Sequence, residues 1–455
     1  MVRNYATLAG LLVTACGSAD VLVQESALCF LVSLAVDSSN KLTLFRTNKL
    51  VDVLVQAVGG AGDAVIKARA LSALSNLVHR VRENQVALFG RAGLVELLVD
   101  ASCDASLDVK MEALGVLANL LDAAENRDAA LKDGRLFEAV LSAAENGETD
   151  EIKRRAWLSL AQLAAGRRVD VLQRLDEAKW VDLVILTMEA EETDAVQELS
   201  ARALFELILA TGHPSLFVLG HPDLLGTLFW SAGRPNSPNE LKWWVFRTLA
   251  ELARDGVGAI QVFGTVGLPT MLLRAVQRDE PESSVGAAWR VWWRLADHEE
   301  LKKTVAQLPG FGEAMVSGLR NPNRMTRHRA LRALGKVTSA AEASHVLDTP
   351  ALVDALSELV ATLHPENEVR GSGFAVTAGI CLANLVGADA ERWGQLEFRE
   401  DVLRGVVDRV KVVAEGPSVD EWKLQDVVPA LHALAQGPAN RAVLARVETG
   451  VVSML

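Results

Sequence analysis

The chain has 455 residues with a formal net charge of −12, half of them hydrophobic, and this acidic balance argues against a surface devoted to nucleic acid. Its four cysteines are widely separated and form no CxxC pair, so we expect a reduced, cytoplasmic or nuclear protein. No apolar run approaches the roughly 18 residues that a membrane-spanning helix needs, so no membrane association is expected.

The first element in chain order is an apolar helix within MVRNYATLAGLLVTACGS. Its string Val13-Thr14-Ala15-Cys16 resembles a bacterial lipoprotein cleavage site, which would place the protein on a membrane. Against this, LAGLLVTAC from Leu8 superposes on LVDVLVQAV from Leu50 when the chain is shifted by one repeat. The superposition favours a helix of a first repeat over a leader.

A second pattern, KARALSALSNL from Lys67, returns along the whole chain, for example as KMEALGVLANL from Lys110. Its apolar residues fall at helical spacing, and a period of about 42 to 52 residues is typical of a helical solenoid, in which stacked repeats supply the core. The residue aligned with Ala70 marks each repeat, and the series of marker residues is Ala27, Ala70, Ala113, Ala156, Ala203, Val245, Ala288, Ala330, Ala378 and Ala430.

About twenty residues before each marker lies another apolar helix, such as LVELLVDAS from Leu94. A glycine precedes several of these helices and is predicted to form the turn before them, as at Gly93, Gly267 and Gly310. Asparagines also recur after the long helices, where a short polar side chain can cap or tighten a turn. These are Asn40, Asn84 and Asn126.

The turn glycine, the LVxLL helix and the ALxxLxNL helix together resemble the armadillo repeat family, with HEAT repeats as the alternative. The resemblance implies an all-α, right-handed superhelix of about ten repeats. We expect one solenoid over residues 1–455, with regular repeats in 1–180 and divergent repeats in 181–455. Both ends lack the polar cap of a free solenoid, so we expect an excerpt of a longer array that self-associates through its uncapped ends.

Catalytic patterns are missing from the sequence: it has no phosphate-binding glycine loop, no HExxH and no GxSxG elbow. His213 and His221 lie in two Gly-His-Pro strings, but no cysteine or carboxylate cluster accompanies them as a metal site would require. We therefore expect no enzyme, no cofactor and no metal. Longer loops begin at Ser231, His364 and Ala414, and insertions in solenoids often emerge on a binding face.

In the armadillo family the long helix of each repeat lines a groove, where asparagines hold the backbone of an extended peptide and tryptophans frame its side chains. Here Asn76, Asn119 and Asn384 occupy the asparagine position, six residues after the marker. No repeat has tryptophan at the family's tryptophan position, two after the marker. The resemblance therefore stops short of the nuclear-import adaptors.

Basic residues replace the family's pattern in three consecutive repeats. The two groove positions there hold Arg247, Arg290, Arg294, Arg332 and Lys336, and His328 lies one turn before Arg332. Residues 241–340 contain fifteen Lys and Arg against nine Asp and Glu. This row predicts a groove for carboxylates or phosphates, with a solvated helix surface as the alternative.

Tryptophans cluster in the same region. Trp289 and Trp292 take core positions of the repeat, whereas Trp243 falls one turn before Arg247 on the groove row. An aromatic side chain beside arginines is a plausible hot spot for a partner, and a packed core tryptophan is the alternative.

Two classes of function follow. The first is a non-catalytic protein-interaction scaffold that holds an extended acidic or phosphorylated segment of a protein or peptide. The second is a chaperone or small-GTPase regulator that grips a folded nucleotide-binding partner.

Overall fold

A computed structural model of the chain describes residues 2–60, 63–165, 177–190, 192–212, 220–277, 280–362, 373–387, 392, 396, 398–415 and 424–447. Within these ranges the chain forms α-helices and no strand, which confirms the all-α prediction. Several residues that the sequence predictions concern lie outside the described ranges. They are His213, most of the loops from His364 and Ala414, and the C-terminal residues from 448 onward.

The described residues form two compact units, 1–213 and 214–455. The helices of unit 1 are α1 (Val2–Cys16), α2 (Val21–Val36), α3 (Ser38–Phe45), α4 (Leu50–Gly59), α5 (Ala64–Val78), α6 (Arg82–Phe89), α7 (Leu94–Ser102), α8 (Leu107–Leu121), α9 (Ala124–Ala130), α10 (Gly134–Asn146), α11 (Asp150–Ala164), α12 (Glu177–Glu189) and α13 (Asp194–Thr211).

The helices of unit 2 are α14 (Leu224–Gly233), α15 (Asn239–Leu252), α16 (Gly256–Gly264), α17 (Leu268–Gln277), α18 (Glu282–Ala296), α19 (Glu299–Ala306), α20 (Phe311–Leu319), α21 (Arg324–Thr338), α22 (Ala341–Leu347), α23 (Pro350–Thr362), α24 (Phe374–Val386), α25 (Glu400–Glu415), α26 (Leu424–Leu434) and α27 (Pro438–Val447).

Each unit is a stack of helical repeats, as the periodicity predicts. A complete repeat has a short helix, a second helix and a long helix, as in α6, α7 and α8. All ten marker residues lie in long helices and are at most 8% exposed. The long helices pack in series, α2–α5–α8–α11–α13 in unit 1 and α15–α18–α21–α24–α26 in unit 2. The small marker side chain permits this close approach, and the chain is an all-α repeat solenoid.

The turn before the second helix needs a left-handed backbone. Gly93, Gly267 and Gly310 have φ values of 75°, 82° and 86°, which confirms the predicted role of these glycines. Lys49 takes the same position before α4 with a φ of 63°. The turn geometry is therefore kept even where its residue is not glycine.

The asparagine that follows each of α2, α5 and α8 donates to a carbonyl near the end of that helix. Asn84 Nδ2 donates to the carbonyl oxygen of Leu77 at 2.7 Å and to that of Lys41 at 3.3 Å. Asn126 Nδ2 makes the equivalent bonds to Leu120 at 2.7 Å and Gln85 at 3.1 Å. One amide thus satisfies a carbonyl near the C-terminus of the long helix that precedes it, and it links that helix to the preceding repeat. The predicted turn-tightening role is confirmed.

Candidate partner-binding face

Trp293 in α18 is at the centre of the candidate site. The guanidinium carbons of Arg294 and Arg332 lie 4.4 Å and 4.1 Å from its ring centroid. Trp293 is 8% exposed, whereas both arginines are half-buried. Cation–π attraction over an indole ring is stronger when the pair is partly desolvated. The ring therefore fixes two cations from adjacent repeats at one place on the surface.

A second cation–aromatic cluster lies on α15. The Arg247 guanidinium carbon is 4.5 Å from the Trp243 ring centroid and 5.1 Å from that of Trp244, and the two rings meet edge to face at 4.5 Å. All three side chains are half-buried. Trp289 and Trp292, by contrast, are fully buried, which confirms their predicted core positions.

Arg290 of α18, the helix that carries Trp293, forms an ion pair with α15, the helix that carries Trp243. Its Nη2 lies 2.8 Å from Oε1 of Glu251, whose side chain is 6% exposed. Arg329 of α21 is close enough to repel Arg290: burial, and then the charge of Arg290, hold the pKa of the Arg329 guanidinium below its ordinary value. This part of the surface therefore concentrates positive charge from α15, α18 and α21. We call its residues Trp243, Trp244, Arg247, Arg290, Trp293, Arg294, Arg329 and Arg332 the cation–aromatic face.

Two predicted groove residues have other surroundings. Lys336 is 3% exposed and its Nζ lies 2.9 Å from Asp297 Oδ1, so the prediction that it presents a charge to a partner needs correction. A buried ammonium with its own carboxylate serves the packing of α21 on α18. The His328 ring lies 5.0 Å from the ring of Phe374 of α24 in an edge-to-face arrangement.

The groove asparagines of unit 1 also bond within the protein. Asn76 Nδ2 donates to the carbonyl oxygen of Val32 at 3.3 Å, and Asn119 Nδ2 donates to that of Ser75 at 3.2 Å. Each amide therefore joins its long helix to the preceding one. Asn384 in α24 differs, since neither its amide nitrogen nor its amide oxygen has a hydrogen-bond partner among the described residues.

The sequence analysis did not predict a series of ion pairs that recurs between repeats, which we call the lysine ladder. The lysine three residues before the marker pairs with an acidic residue ahead of the next long helix. The pairs are Lys67–Asp104 at 3.4 Å, Lys110–Glu148 at 2.5 Å, Lys153–Glu192 at 2.5 Å and Lys242–Glu280 at 2.9 Å. The repeated lysine of KARAL and KMEAL was the available signal.

Arg329 was also missed, although arginine recurs one residue before the marker at Arg69, Arg155, Arg202 and Arg329. The Arg329 side chain lies against Gly286 of α18, where an added Cβ would collide with its guanidinium. Arg155 lies against Gly115 of α8 in the same way. Glycine on one long helix thus leaves room for arginine from the next.

Two other kinds of site would be a metal centre and a membrane-spanning helix. No group of three or more His, Cys, Asp or Glu side chains that could hold a metal ion occurs in the described ranges. No single helix there is long and apolar enough to cross a bilayer, although the bent pair Gly256–Gly264 and Leu268–Gln277 meets the length and composition test together.

Comparison with known proteins defines the class of fold only. No family model matches the chain, and no curated protein matches it. The crystal structure of an engineered protein from the Northeast Structural Genomics Consortium superposes with a TM-score of 0.71 at 21% identity, covering 94% of this chain and 98% of that one. Two further engineered proteins from the same consortium give TM-scores of 0.47 at 23% and 19% identity, covering 53% and 54% of this chain and 95% and 99% of theirs. The first similarity supports the helical-repeat fold, and the armadillo assignment stays a prediction.

Proposed function

We propose that the chain is a non-catalytic scaffold that binds an extended acidic or phosphorylated segment of a partner protein on the cation–aromatic face. The observation that carries the proposal is the placement of Arg294 and Arg332 over Trp293, beside Arg247 and Arg290 on neighbouring helices. Guanidinium groups recognise carboxylates and phosphates through paired N–H donors in the guanidinium plane.

The charge balance of the face supports an anionic partner. Five arginines belong to the face, and the pair formed by Arg290 with Glu251 involves one of them. Burial, and after it the charge of Arg290, lower the pKa of Arg329, so part of this shift comes from repulsion between like charges on the face. An incoming carboxylate or phosphate reduces the repulsion between these arginines. This reduction adds to the favourable free energy of binding.

Repeat geometry sets the spacing of the partner's charges. Packed helices in adjacent repeats are roughly 10 Å apart, and an extended chain advances about 3.3 Å per residue. One acidic residue in every three therefore meets successive helices. A single exposed ion pair contributes only about 0 to 1 kcal/mol, so useful affinity requires several pairs together with apolar contact to Trp243.

The test is fluorescence anisotropy with labelled peptides of about sixteen residues that carry glutamate at every third position. We expect saturable binding that strengthens when phosphoserine replaces glutamate and weakens at least about tenfold between 50 and 500 mM salt. The matched control has glutamine at the same positions and should not bind. A peptide with the same composition but adjacent glutamates should bind less tightly, because it cannot reach three helices.

Equal binding of the glutamate and glutamine peptides would contradict the proposal. Failure of every peptide, together with tight binding of a folded nucleotide-binding protein, would instead support the chaperone or regulator alternative. The experiment thus distinguishes the two functions by whether the partner that binds is an extended peptide or a folded protein.

A further inference from the structure

The solvent-facing side of the short helix α16 is apolar. Val257 and Ile260 are 49% and 47% exposed, and Val266 in the turn after the helix is 91% exposed. Residues 256–273 contain no charged residue and no histidine, whereas the short helices α3, α6, α9, α19 and α22 each contain at least one lysine, arginine or carboxylate. Scattered exposed apolar side chains are ordinary, but a group of them on one helix marks an interaction surface.

The exposed residues of α16 are centred on Ile260. One residue turns an α-helix by about 100°, so Gly256 and Gly264 lie about 40° to either side of Ile260. Val257 and Phe263 lie about 60° to either side. Both glycines are exposed and Phe263 is half-buried, as these angles require. The core-facing residues of the helix are buried, namely Gly258, Ala259 and Val262. We call Gly256, Val257, Ile260, Phe263 and Gly264 the α16 face.

The residue pattern of the α16 face is symmetric about Ile260. Gly256 and Gly264 each lie four residues from it, and Val257 and Phe263 each lie three residues from it. When two such helices pack antiparallel about a two-fold axis at Ile260, each glycine faces a glycine of the second helix, and each Val257 faces a Phe263. An isologous contact between two copies of one protein requires a patch that complements itself. The α16 face meets this requirement.

The residues just outside the face extend the same symmetry. Arg254 and Val266 each lie six residues from Ile260, and both are exposed. In the antiparallel pair the aliphatic stem of Arg254 covers Val266 of the second copy. The guanidinium of Arg254 then meets the C-terminal carbonyls of the second α16, which form the negative end of the helix dipole. An uncharged face also places no like charges opposite one another, although each copy carries a formal net charge of −12.

We propose that the chain forms a two-fold symmetric dimer through antiparallel contact of two α16 faces. Glycine at both ends of the face lets the helix axes approach to about 8 Å, the lower end of the range for packed helices. A standard interface involves about 20 to 30 residues on each side, whereas α16 has nine. The dimer is therefore weak, with a dissociation constant on the order of 10 to 100 µM. It is independent of the proposed peptide binding, since α16 carries none of the cation–aromatic face.

Sedimentation equilibrium of the whole chain from about 5 to about 500 µM tests the dimer. We expect the mass to rise from monomer to dimer across this range. Association should strengthen about two- to fivefold between about 50 and about 500 mM salt, because salt screens the repulsion between two acidic copies. Ile260→Glu should weaken dimerisation at least about tenfold, since it places two like charges at the axis. Val346→Glu, at an exposed apolar position of α22, is the matched control and should dimerise as the parent does.

A disulfide cross-link locates the contact. With Cys29 and Cys103 replaced by serine, Ile260→Cys should form a disulfide between two copies under mild oxidation, because the axis brings the two introduced thiols together. Val346→Cys should remain unlinked at the same protein concentration. The proposal is overturned by a monomeric parent at about 500 µM, by equal weakening in the two glutamate variants, or by absence of a cross-link in Ile260→Cys.

Two further outcomes would assign the contact differently, and either one overturns the dimer through α16. Loss of the dimer in Leu11→Glu with retention in Ile260→Glu would place the contact at the first repeat, where Leu11 is exposed. A monomer that co-sediments with phosphatidylglycerol vesicles, and loses this binding in Ile260→Glu, would make a lipid surface the occupant of the face. Peptide binding should be parent-like in Ile260→Glu, so failure of the dimer leaves the proposed function unaffected.

Discussion

Arg332 of α21 lies with its guanidinium carbon 4.1 Å from the ring centroid of Trp293 in α18, so one repeat positions a cation that belongs to the next. Arg294, one residue after Trp293, approaches the same ring at 4.4 Å. Two members of the arginine row visible in the sequence are therefore held by one aromatic ring between them. This relationship is the observation on which the proposed binding surface rests.

Replacing Trp293 by leucine should weaken binding of the peptide with glutamate at every third position about five- to thirtyfold. Two cation–π contacts are lost, each contributing roughly 0.5 to 1 kcal/mol. Trp293→Phe keeps an aromatic ring, so its affinity for the peptide should lie between those of the parent and of Trp293→Leu. Anisotropy titration measures the effect, and urea denaturation gives the accompanying loss of stability.

Trp292→Leu is the control for that substitution, because Trp292 is fully buried and contacts Phe311 rather than an arginine. It should lower the free energy of unfolding by about 1 to 3 kcal/mol and leave the peptide affinity of the folded protein unchanged. Parent-like affinity in Trp293→Leu would mean that the ring does not organise the cations.

Glu251 is expected to compete with the partner for Arg290. Glu251→Gln should tighten binding of the glutamate peptide about two- to tenfold, because the face loses its internal carboxylate. The same change should cost about 1 to 3 kcal/mol of stability, since the Arg290 charge loses a partner that is 6% exposed. Glu313→Gln, at an exposed position of α20, should change neither quantity. Weaker binding by Glu251→Gln would argue that Glu251 orients Arg290 for the partner.

The lysine ladder should stabilise the stacking of repeats. Lys153 Nζ lies 2.5 Å from Glu192 Oε1, with side chains 20% and 17% exposed. A double-mutant cycle of Lys153→Met and Glu192→Gln should give a coupling energy of about 1 to 2 kcal/mol, because the pair is largely removed from water. The exposed pair Arg46–Glu83 should couple by less than about 0.5 kcal/mol. Equal coupling energies in the two cycles would show that the Lys153–Glu192 pair stabilises the protein no more than an exposed ion pair does.

The long helices were predictable because their signal is local. Ala70, Leu71, Leu74 and Leu77 form one stripe at helical spacing, and all four are fully buried. The groove offsets also follow from helix geometry, so Arg247, Arg294 and Arg332 fall on the predicted rows. The contacts of each side chain depend on how neighbouring long helices are placed relative to one another. The sequence of a single helix does not determine that placement.

For that reason the burial of Lys336 against Asp297, and the bond from Asn119 to Ser75, could not be foreseen. Each joins residues about forty positions apart in sequence. The position of Arg329 against Gly286 has the same origin. A long side chain reaches into the next repeat, where the available space is set by a residue on another helix.

Thiol reactivity should divide the cysteines by burial. Burial raises the pKa of Cys16 from 9.0 to about 11, and burial raises the pKa of Cys381 to about 12. At pH 8 iodoacetamide should therefore alkylate the exposed Cys103 first and reach these two only after unfolding. Mass spectrometry of digested protein measures the order. Rapid native alkylation of Cys16 or Cys381 would contradict the packing described here.

The raised pKa values of these two thiols predict that the folded protein loses stability at high pH. Both folded-state pKa values lie above the unfolded value, so the contribution of the neutral buried thiols is complete below about pH 9. It is lost as the pH rises from about 9 towards 11 to 12. Replacing both residues with alanine should flatten this part of the stability profile.

The most direct test of the binding face is the triple substitution of Arg247, Arg294 and Arg332 by glutamate. Arg290 is retained in this variant because it neutralises Glu251. Reversal of Arg320, Arg404 and Arg441, which are exposed elsewhere in unit 2, provides a variant of equal net charge. The peptide with glutamate at every third position is titrated against both variants at low salt, with helix content and melting temperature recorded in parallel. We predict at least about a thirtyfold loss of affinity in the face variant and less than about a threefold loss in its control, with both remaining folded. Parent-like affinity in a folded face variant, or equal losses in the two, would show that the arginines form only a solvated surface.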